Sequence, residues 1–303
     1  MVFILYCKED LVMTHTIENR FLRVSVKDHG AELCSIFDKE KNREVLWQAD
    51  PAFWKRHAPV LFPNVGRHYL DHFRTLGREF SSKQHGFARD SEFVCACRTE
   101  DSITHVLKSS PETLEKYPYE FRLEITHTLK GRTVTVSWKV SNPGEETMYF
   151  TIGGHPAFNV PADGQGRQNE YFLSFEGKDS LTYYLVDLNH GTARPDEPHT
   201  LSLTDSRCRI DEHMFDKDAL VVDGQIEKAS ILFPDGTPYV SLSCKGFPNF
   251  GIWSVPGAPF VCLEPWMGRC DDCGFEGTLA EKENINSLKS KEEFHKEYFI
   301  EVC

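Results

Sequence analysis

The chain has 303 residues, of which 40% are hydrophobic, 12% aromatic and 26% charged, the profile of a folded globular protein rather than a disordered or membrane-embedded one. Its formal net charge is −12, and the scattered acidic residues leave no basic stripe to neutralise phosphates, which argues against nucleic acid and anionic membrane as partners. Val2 to Cys7 is apolar but short, lacks a preceding basic segment and runs into Lys8, Glu9 and Asp10, so the expected location is cytoplasmic.

In chain order, two-residue alternation marks the first strand at Phe21 to Val26, followed by a turn at Asp28-His29-Gly30. Pro51 to Arg56 and Pro111 to Lys116 are the best short helices, the second behind the possible caps Ser109 and Ser110. Glu92 to Arg98 reads as a strand with Cys95 and Cys97 on one face. The clearest pattern follows: Phe121, Leu123, Ile125 and Leu129 oppose Arg122, Glu124, Thr126 and Thr128. After Lys130-Gly131, Val134, Val136, Trp138 and Val140 alternate with polar residues, and beyond Asn142-Pro143-Gly144 a third strand spans Thr147 to Ile152. Short turns exclude parallel pairing, so these three form an antiparallel meander.

Further strands are expected at Ala219 to Val222, Tyr239 to Cys244, Phe260 to Glu264 and Tyr298 to Val302, with turns at Asp235-Gly236 and Pro256-Gly257. No βαβ rhythm, repeat or low-complexity linker divides the chain, which points to one all-β domain over residues 1–303 built as a large antiparallel β-sandwich. The ten cysteines, with no export signal, read as reduced thiols, several of them small core residues. Cys270-Asp271-Asp272-Cys273 has the spacing of half a zinc site, but no second pair stands at matching spacing to complete four ligands.

Three segments place ionisable residues among Gly, Pro and aromatics at strand ends: Ala58 to Arg89, Gly153 to Asn159 and Phe260 to Asp272. In the last, the apolar run Phe260-Val261-Cys262-Leu263 leads into Glu264, Pro265 and Trp266. Desolvation where a buried strand stops would raise that carboxyl's pKa, as suits a general base, and an indole face suits the C–H side of a pyranose. Taken singly, each of these residues also has a plain structural reading. Arg67 and Arg89 read as surface charges, His85 as a backbone partner, and Trp253 and Phe158 as core.

Taken together, Ala58-Pro59-Val60-Leu61-Phe62-Pro63 running into Gly66-Arg67, Gln84-His85-Gly86-Phe87-Ala88-Arg89-Asp90, Gly153-Gly154-His155-Pro156-Ala157-Phe158-Asn159, and Cys262-Leu263-Glu264-Pro265-Trp266 before Gly268 resemble the aldose 1-epimerase (galactose mutarotase) family, especially its divergent bacterial branch. The resemblance spans nearly the whole chain. It implies a β-supersandwich, a sugar cleft on one sheet, no cofactor and no metal, and a monomer or homodimer acting on a small aldose. It also implies His155 as general acid, Glu264 as general base, and Arg67 and His85 as holders of sugar hydroxyls. Trp266 joins these as a substrate-binding residue. A further family carboxylate falls on Asp216 or Asp218, with Asp218 preferred. Pro156-Ala157 and Pro265-Trp266 replace the polar pairs of the familiar galactose-handling branch, which leaves the sugar open, including the alternatives of a hexose 6-phosphate substrate and a non-catalytic sugar-binding protein.

Overall fold

The computed structural model describes residues 13–303; the apolar Val2 to Cys7 segment lies outside them. Two large sheets dominate. A nine-stranded sheet runs in the order Arg207–Arg209, Phe172–Phe175, Lys228–Leu232, Pro238–Ser243, Glu293–Val302, Thr133–Ser141, Arg122–Lys130, Ser102–Lys108 and Val94–Arg98. A six-stranded sheet runs from Leu220–Asp223 through Asn249–Trp253, Phe260–Met267 and Ile152–Gly154 to Val60–Leu61, with Ala157–Asn159 also paired to Phe260–Met267. The strand pairs in both are antiparallel. A four-stranded sheet, Thr14–Glu18 to Arg43–Glu44, precedes them.

The alternation that predicts the central strands is what builds the core. Leu123, Ile125, Val134, Val136, Trp138, Val140, Tyr298 and Ile300 from the larger sheet share one hydrophobic cluster with Ile152, Phe250, Ile252, Val261 and Leu263 from the smaller. The result is the expected all-β sandwich. Phe158 belongs to this core, in line with its plain structural reading. At its centre the sheets press together so closely that a Cβ on Gly154 would stand 2.7 Å from the Tyr298 hydroxyl, so only glycine fits there.

Several sequence readings are corrected. The third strand does not continue the meander: Met148–Phe150 pairs with Asn286–Leu288, and Ile152–Gly154 crosses into the six-stranded sheet. The Asn142 amide donates to the Glu146 and Leu288 carbonyls, which turns the expected hairpin into a crossover. The meander grows the other way, through Ser102–Lys108.

Pro51 to Arg56 forms a single turn, not a helix. Its Phe53 and Trp54 N–H groups bond the Asp50 carbonyl, and the Trp47 indole N–H donates to the Trp54 carbonyl, ending the turn in tertiary structure. Pro111–Lys116 is helical, with Ser110 rather than Ser109 as its cap. A bulge between Cys95 and Cys97 breaks their common face and leaves Cys97 exposed, so this pair is not core. Cys34, Cys244, Cys262 and Cys270 are the buried thiols among the described residues.

Candidate active site

The six-stranded sheet carries the site on the face turned away from the core. Side chains alternate along Phe260–Met267: Val261 and Leu263 enter the core, while Cys262, Glu264 and Trp266 take the other face. The strand does not stop at Glu264, as its sequence suggests, but continues through Pro265 and Trp266 to Met267. Glu264 is therefore mid-strand, covered on both sides and 1% exposed.

The neighbouring chain is interrupted at His155-Pro156, yet Gly153 pairs with Trp266 and Ala157 with Cys262, the same register on both sides of the break. That register sets His155 opposite Glu264 on one face, where opposed side chains meet. His155 Nε2 lies 3.3 Å from Glu264 Oε2. On the other flank Gly251 pairs with Glu264 and presents no side chain. The Trp266 indole lies across this space: a Cβ on either Gly153 or Gly251 would overlap it. Two glycines on flanking strands thus make room for the tryptophan that floors the cleft.

Around this pair opens a cleft of about 330 Å³, within the range that holds small organic ligands. Trp54 stacks on the His155 ring at 4.8 Å, and Trp253 and His85 meet the same ring edge-on at 5.6 Å. Gly66 N–H donates to His85 Nδ1 at 3.0 Å, which leaves that nitrogen bare and puts the ring proton on Nε2. Asp218, held in a left-handed turn at φ 73°, reaches the opposite wall. Asp216 instead bonds the exposed His213 at 2.8 Å.

Burial governs the electrostatics. It pushes the His155 imidazole down to about 3, helped by the positive charges of Arg89 and Arg56. It lifts the Glu264 carboxyl well above the usual range, reinforced by Asp218 and opposed by the Trp266 indole. The Glu264 carboxyl beside His155 does not raise the histidine's pKa: desolvation disfavours both charges and leaves the pair's single proton on the carboxyl. His85 is held neutral by the same burial.

The structure thus brings together His155, Glu264, His85, Asp218 and Trp266 from four separate stretches of chain. It does not bring in Arg67, whose guanidinium is 3.3 Å from Asp71 and more than a third exposed, with only its stem packed beside the cleft-lining Gly191. Arg89, read from sequence as a surface charge, lines the cleft and has a buried Nε without a hydrogen-bond partner, the Asp90 carboxylate standing 3.9 Å away. Trp253, read as core, and Trp54, read into a helix, also form its walls. A tryptophan following an Asp-Pro turn was the signal available for Trp54.

The Cys270 half-site dissolves: Cys270 is buried beside the cleft, Cys273 is exposed, and Asp271 is committed to Lys282 and His68. Among the described residues, the groupings dense enough for a metal are elsewhere.

The antiparallel sandwich, here with a buried histidine–glutamate pair in a cleft on one sheet, is the fold of a class of carbohydrate epimerases. The chain belongs to the aldose 1-epimerase family, whose sequence profile matches residues 13–279. It is 31% identical to the chromosomal LacX protein of Lactococcus lactis subsp. lactis, over 96% of this chain and 99% of LacX. Among solved structures, a galactose mutarotase related enzyme from Lactobacillus acidophilus superposes with a TM-score of 0.91 at 32% identity, covering 96% of this chain and 97% of that one. A galactose mutarotase-like protein from Lactobacillus casei superposes at 0.87 with 28% identity, covering 96% and 100%. Among the described residues no helix is long and apolar enough to cross a membrane.

Proposed function

We propose that the chain is an aldose 1-epimerase that interconverts the α and β anomers of a free aldohexose. The observation that carries this reading is the opposed pair His155 and Glu264, 3.3 Å apart and buried in a sugar-sized cleft. Ring opening requires a base at the anomeric hydroxyl and an acid at the ring oxygen, two oxygens on one carbon. Glu264 takes the hydroxyl proton and His155 protonates the ring oxygen; after rotation about the first carbon–carbon bond the open aldehyde recloses with the roles exchanged.

The form this needs, imidazolium facing carboxylate, has the same net charge as the neutral pair that burial favours. One proton crossing between the two residues interconverts them, without exchange with solvent. Sugar hydroxyls bonded to Glu264 stabilise the carboxylate and so favour that crossing. Asp218, His85 Nε2–H and Arg89 are placed to hold the remaining hydroxyls, over the Trp266 face.

A free sugar is favoured over a hexose 6-phosphate because Arg269 is buried against Asp223 and Asp272 and Arg67 is paired with Asp71. Of Arg67, Arg89 and Arg269, only Arg89 lines the cleft. Exchange NMR of anomeric protons over glucose, galactose and their 6-phosphates tests both points. Accelerated exchange of a free hexose is expected. Saturable sugar binding with the uncatalysed exchange rate would instead make this a binding protein.

A further inference from the structure

Away from the cleft, the four-stranded sheet abuts the edge of the nine-stranded sheet, and four chain segments converge there on one polar cluster. His15 comes from Thr14–Glu18, Asp28 follows Leu22–Lys27, and Cys95 and His105 come from Val94–Arg98 and Ser102–Lys108. Cys95 and His105 are direct cross-strand partners, and the bulge that follows Cys95 sets its side chain apart from that of Cys97. The donor atoms of His15, Cys95 and His105 all lie within 4.8 Å of one another. Asp28 Oδ1 sits between the imidazoles, 2.8 Å from His15 Nε2 and 3.0 Å from His105 Nε2.

We infer that His15, Cys95, His105 and Asp28 form a zinc-binding site that ties the N-terminal sheet to the sandwich. Two imidazoles, a thiolate and a carboxylate are the donor set of a borderline-soft divalent ion with tetrahedral preference. Zinc bonds of about 2.0–2.1 Å to nitrogen or oxygen and about 2.3 Å to sulfur place tetrahedral ligand atoms roughly 3.3–3.6 Å apart. Side-chain rotations on the order of 1 Å therefore close the cluster around an ion. Without an ion the donors are incompletely used: Cys95 reaches only a carbonyl at 3.9 Å, and His105, fully buried, keeps its Nδ1 without a partner.

His15 and Asp28 are each under a fifth exposed, which leaves a short path from solvent. With Asp28 as the fourth ligand beside the three clustered donors the coordination sphere is closed, which makes the site structural rather than catalytic. Binding releases the thiol proton to solvent and couples metal affinity to the docking of the two sheets.

The test is a cobalt titration of the full chain, stripped with chelator and kept reduced, followed by displacement with zinc. The expected result is the ligand-field spectrum of four-coordinate cobalt with a thiolate charge-transfer band, both abolished by zinc, and a rise in Tm with zinc. Cys95→Ser should remove the charge-transfer band, and His15→Ala, at a partly exposed position that tolerates the change, should weaken affinity at least about tenfold. The His155, Cys262 and Glu264 grouping in the cleft is the competing site, so Cys262→Ser should leave the spectrum intact. A band that survives Cys95→Ser, a band lost in Cys262→Ser, or no four-coordinate spectrum overturns the proposal.

Discussion

His127 lies on a strand of the larger sheet and His155 in the break between two short strands of the smaller, and burial drives both imidazoles down to about 3. Both leave Nδ1 without a partner. His127 faces the apolar interior, opposite Val136 and Ile103 in its ladder. His155 faces Glu264 across one strand pair and opens onto a cleft. Desolvation is thus common to both regions and confers no chemistry by itself. What distinguishes His155 is a carboxyl that shares its proton and space for a sugar beside the pair.

The largest effect should come from removing either partner. His155→Asn or Glu264→Gln is expected to slow anomer exchange at least about a hundredfold, whereas His127→Leu should exchange at close to the wild-type rate. Comparable slowing in all three variants would erase the distinction between the two histidines.

A second effect separates them by proton count. In the unfolded chain each imidazole binds a proton near its ordinary pKa of about 6.5, but in the folded chain not until about pH 3. For His127 the unfolded state therefore binds more protons in that window, and its contribution to stability is complete above about pH 6.5 and falls as pH drops toward 3, by up to roughly 1.4 kcal/mol per pH unit, whereas the raised Glu264 carboxyl keeps a proton in the folded state that offsets the one His155 gives up. Urea titrations across this range should show the slope, and His127→Leu should reduce it. An unchanged slope would mean that His127 does not titrate differently in the two states.

Gly251→Ala probes the floor of the cleft without touching an ionisable group. Its Cβ would displace the Trp266 indole, and a loss of about 1–3 kcal/mol of stability is expected by denaturation, accompanied by weaker sugar binding. Smaller still is the contrast between arginines: Arg89→Ala should lower kcat/KM about tenfold and Arg67→Ala less than about threefold. The reverse order would restore the assignment suggested by sequence. Finally, because the proton stays within the pair, the exchange rate should vary less than about threefold between about pH 6 and about pH 8. A sigmoid centred on the ordinary histidine value would instead show His155 titrating alone.

Half-exposed strands were the legible part of the fold, since Arg122–Lys130 and Thr133–Ser141 write their two environments into alternate residues. Phe260–Met267 has both faces buried and so shows no alternation, and a charged residue within it looks like an end. The crossover after Ser141 depends on where Asn142 finds carbonyls, 146 residues away in one case, and local pattern carries no such information. The same holds for the site. Motifs at strands, a strand break and a turn bring His155, Glu264, His85 and Trp266 to the cleft, whereas Trp54, on a single turn shaped by tertiary bonds, and Arg89, which becomes buried only on folding, carry no local pattern that points there.

The interrupted strand at His155-Pro156 has one more consequence. Because the register is the same on both sides of the gap, the separation of His155 and Glu264 is a spacing of the sheet, a rung between adjacent strands, and not the product of a loop that must settle into place. Such a ruler needs no closing motion to come to length. Its tolerance is correspondingly strict: one residue added or lost between Gly153 and Ala157 would turn the imidazole into the hydrocarbon interior, while insertions in the loops around the cleft would leave the gauge untouched.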